Sequence, residues 1–267
     1  MSKKEDMPKI KFWAHRGMSK KYPENTLSAF LAAAKVEGLT GVELDVHLSN
    51  DGEVVVIHNE TVDETTNGRG LVRDYGLEEL KSFRMTGVGG DKPYIGEDGS
   101  YEHIPTLREV FAALKPYCES KDLKINIELK NNKYPYPGME EKVVGLVREM
   151  GMEKHVIFSS FNAKALRKIR KLLKGAHTGY LCTNEYVGYK KMRHYRLSAI
   201  HPSIKGLDTE PHFVNRIKRR RVPVRIWNNF EPFYGQNSKT KLINPEEYAR
   251  LGVTDIITNV PDVYLLR

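Results

Sequence analysis

The sequence predicts an α/β protein with the (β/α)8 barrel architecture, folded as a single domain. Strand-like runs alternate with helix-like runs almost to the end of the chain, the pattern of a parallel sheet. About eight such units follow one another, which favours a closed barrel over an open sheet. The length of 267 residues is close to the roughly 250 typical of that barrel. Hydrophobic residues make up 40% of the chain, enough for a full core. No linker, low-complexity tract or fixed-period repeat divides it. Residues 1–9 read as a polar tail and 10–267 as the barrel domain.

The elements follow in order. Ile10 to Ala14 reads as a first strand. Asn25 to Val36 reads as a helix, with Leu27, Phe30, Leu31 and Ala34 at helical spacing and Asn25 as its cap. Val42 to Leu48 and Val54 to Ile57 are strands, joined by a tight turn at Ser49-Asn50-Asp51-Gly52. Thr86 to Glu102, rich in Gly and Asp, reads as a long loop over one face. Thr106 to Lys115 is a helix, with Thr106 and Glu109 spaced as a capping box. Leu123 to Leu129 alternates as a strand, and Glu140 to Met150 is a helix stopped by Gly151. Then come strand 156–158, helix 163–173, strand 178–181 and a short strand at Ala199-Ile200. Helix 213–221, strand 222–227, helix 245–251 and strand 255–258 complete the pattern.

The formal net charge is +9, which favours anionic partners such as phosphate esters, nucleic acid or an anionic membrane. Basic residues gather at 164–174 and 216–225. Neither stretch has the interleaved aromatics or a motif of nucleic-acid binding, so a solvated surface is expected and no nucleic-acid partner. Cys118 and Cys182 are the only cysteines, too few for a disulfide framework or a thiolate metal site. The polar N-terminus has no apolar segment behind it, and no run of about 18 apolar residues exists. A cytoplasmic protein without stable membrane insertion is expected; the oligomeric state stays open.

Chemistry concentrates where strands end, the functional end of such a barrel. His15 and Arg16 follow the first strand, and Glu43 and Asp45 lie two apart on one face of the next. His58 follows the Val54 to Ile57 run, Glu128 and Lys130 close another strand, and Trp227 ends a late one. Single carboxylates at a rim serve equally well in salt bridges. Glu43 and Asp45 side by side repel unless protonated or neutralised. With Glu128 they form a candidate oxygen-donor set for a hard cation, Mg²⁺ or Ca²⁺. His15 and His58 are the candidate acid–base pair, one taking a proton from the nucleophile and the other giving one to the departing oxygen. Arg16 is a candidate phosphate fork. Lys130 is a second phosphate cation or a solvated strand-end lysine, and Trp227 lines the alcohol pocket or packs the barrel. Glu24 either orients the site or favours the following helix N-terminus. His47 continues the Glu43/Asp45 face too far out for a ligand, and the other six histidines show no ligand spacing.

In order, His15-Arg16-Gly17, Glu24-Asn25-Thr26, Glu43-Leu44-Asp45, Val55-Val56-Ile57-His58, Thr65 to Gly70, Ile104 to Leu107, Ile127-Glu128-Leu129-Lys130, Ser159-Ser160-Phe161, Trp227 and Gly252 to Asn259 resemble the glycerophosphodiester phosphodiesterase family. The likeness is densest over 12–130 and thinner to 260. It implies a barrel similar to that of the phosphatidylinositol-phospholipase-C-like phosphodiesterases. It also implies metal-dependent hydrolysis of a small glycerophosphodiester to glycerol 3-phosphate and an alcohol. By the same resemblance Glu43, Asp45 and Glu128 bind metal, His15 and His58 do acid–base work, and Arg16 contacts phosphate. The resemblance implies two routes that use the same residues: attack of the glycerol 2-hydroxyl on phosphorus to give a cyclic phosphate, as in the related phospholipases C, or direct attack by water. A lysophospholipase D or C, or a catalytically weak phosphodiester-binding protein, are the alternatives. The chain departs from the family pattern at Asn59 (usually Asp), which bears on the orientation of His58, at Glu64 (usually Arg), and at Asn228-Asn229-Phe230 after Trp227. The long polar loop Glu231 to Asn244, with Phe233 and Tyr234, is expected to reshape the alcohol side of the pocket.

Overall fold

The computed structural model describes residues 9–90, 92–207, 222–228 and 230–266. The predicted tail, except Lys9, and helix 213–221 lie outside the described residues. Among the described residues nine strands form one sheet: β1 Lys11–His15, β2 Gly41–Leu48, β3 Val54–Val56, β4 Lys124–Leu129, β5 Val156–Ser160, β6 His177–Cys182, β7 Ala199–Pro202, β8 Arg225–Trp227 and β9 Asp255–Thr258. Eight run parallel in the order β7-β6-β5-β4-β2-β1-β9-β8. Parallel bridges Ile200–Val224 and Ser203–Trp227 join the two ends, so the sheet is a near-closed (β/α)8 barrel.

β3 is not one of the eight. It pairs antiparallel with β2, Val56 opposite Val46, because β2 continues past the barrel rim and folds back at Ser49–Gly52, where Gly52 has φ +82°. The Ile57 amide donates to the Asp45 carbonyl, so this hairpin, rather than a barrel strand, returns His58 to the level of Asp45.

The helices wrap the outside: α1 Leu27–Ala34, α2 Leu77–Ser82, α3 Leu107–Lys121, α4 Met139–Glu149, α5 Ala163–Leu172, α6 Glu185–Tyr195, α7 Ile204–Leu207, α8 Pro245–Leu251 and α9 Pro261–Leu265. The expected capping box opens α3, with Thr106 accepting from the Glu109 amide. Asn25 does not cap α1. Thr26 does, accepting from the Ala29 amide, while Asn25 sits at φ +58° and is used by the site. Helix α6 escapes sequence periodicity because its buried face is Glu185, Gly188, Tyr189 and Met192, too mixed for an apolar stripe.

The main core fills the space between sheet and helices. Inside the barrel a smaller cluster of Trp13, Ile157 and Ile257 forms a plug, with Trp227 against it. The interior is narrow, so a large inward side chain faces a glycine. A Cβ on Gly41 would lie 2.6 Å from the Trp13 ring and 2.3 Å from the Lys124 carbonyl oxygen. No helix among the described residues is long and apolar enough to cross a membrane.

Candidate active site

Strand direction brings the predicted residues to one mouth. His15 ends β1 and is the register partner of Glu43. Asp45 is the partner of Glu128 across β2 and β4. His15, Glu43 and Glu128 line a cavity of about 280 Å³ at the C-terminal ends of the strands together with His58, Arg16 and Lys130, and Asp45 lies beside it, 3.4 Å from Arg16. The opposite wall is apolar: Leu181, Ile257, Trp227, Phe161 and Phe233. All eight site residues predicted from the sequence therefore meet in or directly beside one cavity.

Glu43, Asp45 and Glu128 are buried and present carboxylate oxygens within 4.8 Å of one another. Burial, with Asp45 and Glu128 beside it, pushes the Glu43 carboxyl well above its ordinary range. Burial also raises Glu128. Asp45 behaves oppositely: against the upward push of burial, the Lys130 and Arg16 charges and the Asn25 amide hold it below the usual carboxylate range. Asn25 donates to Asp45 Oδ2 at 3.0 Å and accepts from the Asp45 amide at 3.3 Å.

The cations are held as firmly. Arg16 donates to Glu24 Oε1 at 2.7 Å and lies 3.4 Å from Asp45, and its backbone amide donates to Glu43 Oε2 at 3.1 Å. Glu24 thus orients the arginine and is not spent on the helix end. Arg16 is left-handed, φ +55°, a conformation non-glycine residues adopt at a cost. The bond from the Asn25 amide to the Arg16 carbonyl, 3.0 Å, links the two strained residues and fixes the loop. Lys130 Nζ lies 3.1 Å from Glu128 and 3.7 Å from Asp45. Counted as ionised, four buried carboxylates (Glu24, Glu43, Asp45, Glu128) face two half-buried cations, Arg16 and Lys130. A divalent cation among oxygen donors would restore neutrality, so the residues fit such an ion.

The two histidines are set as neutral rings with one free nitrogen. Burial, then the Arg16 charge, lowers His15 to about 3; the same causes hold His58 well below its ordinary value. Asn259 donates its amide N–H to the carbonyls of Glu231 and Pro232, so its oxygen faces His15 Nδ1 at 2.7 Å. Nδ1 must carry the proton, and Nε2, 3.9 Å from Glu43, keeps its lone pair. His58 repeats the arrangement, its Nδ1 2.5 Å from Asn59 Oδ1. Asn59 therefore orients His58. His47 supports the same loop, donating from Nε2 to the His58 carbonyl at 3.2 Å and accepting from the Tyr136 hydroxyl at 2.9 Å.

Asn259 and Glu231 were not singled out from the sequence. Their signal was position, since Asn259 directly follows the last strand at the functional end. Glu231 is buried and accepts from Thr258, Asn228 and the Asn259 amide. It thereby pins the loop that carries Phe233 against the His15 ring, centroids 5.7 Å apart, and under the Arg16 guanidinium at 4.8 Å. Trp227 donates its indole N–H to the His201 carbonyl at 3.1 Å and meets Phe161 edge-on. His201, buried below the site, accepts from Arg225; His212 lies outside the described residues.

Comparison with known proteins agrees with this geometry. Residues 15–263 match the model of the glycerophosphoryl diester phosphodiesterase family. The chain is 37% identical to a glycerophosphodiester phosphodiesterase of Caldanaerobacter subterraneus subsp. tengcongensis over 254 residues, 94% of this chain and 95% of that one. It is 36% identical to a glycerophosphodiester phosphodiesterase of Bacillus altitudinis, again over 94% and 95%. Among solved structures it resembles an Oleispira antarctica phosphodiesterase in complex with the product sn-glycerol-3-phosphate, with a TM-score of 0.72, 28% identity and coverage of 95% and 94%. With its barrel, its mouth of paired histidines, cations and carboxylates, and a match over nearly its whole length, the chain belongs to the glycerophosphoryl diester phosphodiesterase family.

Proposed function

We propose that this protein hydrolyses small glycerophosphodiesters to glycerol 3-phosphate and an alcohol, using a divalent cation, Mg²⁺ or Ca²⁺, held by Glu43, Asp45 and Glu128. The observation that carries this reading is the single cavity lined by two histidines, the two cations Arg16 and Lys130, and Glu43 and Glu128, with Asp45 beside it completing a set of three close carboxylates. When bound, the cation supplies Lewis-acid stabilisation of charge developing on the phosphate oxygens. Arg16 and Lys130 bind the phosphate, Arg16 through its fork and Lys130 as a point charge. His15 and His58 present unprotonated Nε2 atoms before turnover. A phosphodiester anion entering beside them favours the imidazolium, so the ring facing the departing oxygen takes up a proton from solvent as substrate binds; it then gives that proton to the departing oxygen while the other, still neutral, ring accepts the nucleophile's proton. The apolar wall of Trp227, Phe161 and Phe233 receives the carbon skeleton and the alcohol. At about 280 Å³ the cavity lies at the small end for ligand sites, which supports a short diester over a lysophospholipid.

The test is release of glycerol 3-phosphate from glycerophosphocholine, glycerophosphoethanolamine and glycerophosphoglycerol with Mg²⁺, Ca²⁺ or EDTA. Metal-dependent release that EDTA stops is expected. No release from folded protein with either metal would move the assignment to a lysophospholipid substrate or to binding without hydrolysis. Phe233→Ala is expected to change the ranking of the three head groups, because its ring covers His15 and Arg16. An unchanged ranking would exclude the 231–244 loop from head-group choice.

A further inference from the structure

The charge of this protein is concentrated on one side of the barrel. Residues 162–197 hold ten lysines and arginines and one acidic residue, Glu185, which is buried. That excess equals the formal net charge of the whole chain, +9, so the remainder is balanced. The stretch folds as α5, β6 and α6, and the two helices are neighbours. α5 buries Ala165, Leu166 and Ile169, and α6 buries Gly188, Tyr189 and Met192, which turns the basic residues outward.

Two features separate this face from an ordinary solvated surface. Among the described residues Lys168 is the one cation of the ten in an ion pair, with Glu140 and Glu141, whereas solvated helices usually interleave both signs. Arg167, Arg170, Lys171, His194, Tyr195 and Arg196 line a groove of about 530 Å³ with no carboxylate on its walls. Attraction to a helix C-terminus accounts for Arg170 and Lys171 in the last turn of α5. It does not account for Lys164, which sits in the first turn, the wrong end for a cation.

The second feature is apolar. Tyr186 and Val187 are 49% and 47% exposed in the first turn of α6, with the Lys190 ammonium 4.2 Å from the Tyr186 ring centre. Tyr186, Lys190 and His194 are spaced four apart, so the apolar pair and the groove share one face of α6. Exposed aromatic and aliphatic side chains among lysines and arginines suit the headgroup layer of a bilayer. Nucleic-acid surfaces instead present aromatic rings to stack on bases, a use valine cannot serve.

We propose that α5 and α6 form a docking face for an anionic phospholipid bilayer. The groove takes lipid phosphates, and Tyr186 and Val187 enter the boundary between headgroups and acyl chains. Attachment is peripheral and reversible, and none of these residues lines the cavity at the barrel mouth.

The test is co-sedimentation of the full chain with vesicles of equimolar phosphatidylglycerol and phosphatidylcholine, and with vesicles of phosphatidylcholine alone. Binding to the anionic vesicles only is expected, falling steeply as salt rises. The triple variant Arg167→Gln, Arg170→Gln, Lys171→Gln should weaken it about a hundredfold, about fivefold for each cation. The double variant Tyr186→Ser, Val187→Ser should weaken it about tenfold. A control with the same charge change across the barrel, Lys35→Gln, Arg108→Gln, Lys121→Gln, should stay within about threefold of wild type. All three should melt close to wild type, since every substituted side chain is exposed. The proposal is overturned if wild type ignores anionic vesicles or binds both kinds equally. It is also overturned if the control loses as much as the α5 variant, or if the double variant loses nothing. Tighter binding to duplex or single-stranded DNA than to vesicles, at equal phosphate and salt, would overturn it by making the face a nucleic-acid surface.

Discussion

Alanine at His15 or at His58 is expected to lower turnover of a glycerophosphodiester by about 10²–10⁴-fold, the usual contribution of a positioned acid or base, while the circular-dichroism spectrum is kept. Each ring projects into an open cavity, so its removal leaves no sealed void. The lost contacts are the hydrogen bonds to Asn259 and Asn59, each worth about 1 kcal/mol, and for His15 the ring contact with Phe233. The double variant should be scarcely worse than either single one, because residues that act as a unit are not additive. The roles separate on a diester with a p-nitrophenol leaving group, which departs without a proton. The variant lacking the acid recovers on this substrate, and the variant lacking the base does not. A loss below about tenfold in both variants would remove proton transfer from this pair.

The second large effect concerns the carboxylates. Glu43→Gln keeps an acceptor for the Arg16 amide but removes one of three charges clustered within 4.8 Å. Metal-dependent activity should fall by about 10²-fold or more, since the ion's charge stabilisation is worth several kcal/mol. The stability readout has a distinct sign. In EDTA the variant should melt at or above wild type, because the repulsion that pushes Glu43 upward is relieved. With Mg²⁺ or Ca²⁺ only wild type should gain, as binding to the native state stabilises it. If Glu43→Gln keeps both the metal-induced rise in melting temperature and the activity, Glu43 is not a ligand.

The local positioning of these groups extends beyond the residues that would touch substrate. Arg16 owes its place to Glu24, to the Asn25 amide and to a left-handed turn. His58 owes its place to Asn59 at Nδ1 and to His47 at its carbonyl. Asn59, the departure from the family pattern, still provides an oxygen acceptor for the ring. A neutral amide orients the imidazole without adding charge to stabilise the imidazolium, which leaves the incoming phosphodiester as the group that favours protonation.

The sequence by itself determined the barrel and the end at which it works. Period-two and helical patterns are local, so they marked most strands and helices. Residues two apart on one strand share a face by geometry alone, so Glu43 with Asp45, and Glu128 with Lys130, were legible as pairs. Local signals failed where the reason was non-local. β3 looks like any other strand until its antiparallel pairing with β2 is seen. Asn25 has a capping residue's chemistry, yet its amide goes to Asp45. The tertiary structure alone decided the state of the histidines and the walls of the cavity. Asn259 reaches His15 from 244 residues away, and Phe233 reaches Arg16 across the barrel mouth. Closing the sheet brings the two ends of the chain together and strips water from polar groups, and neither effect leaves a trace in residue spacing.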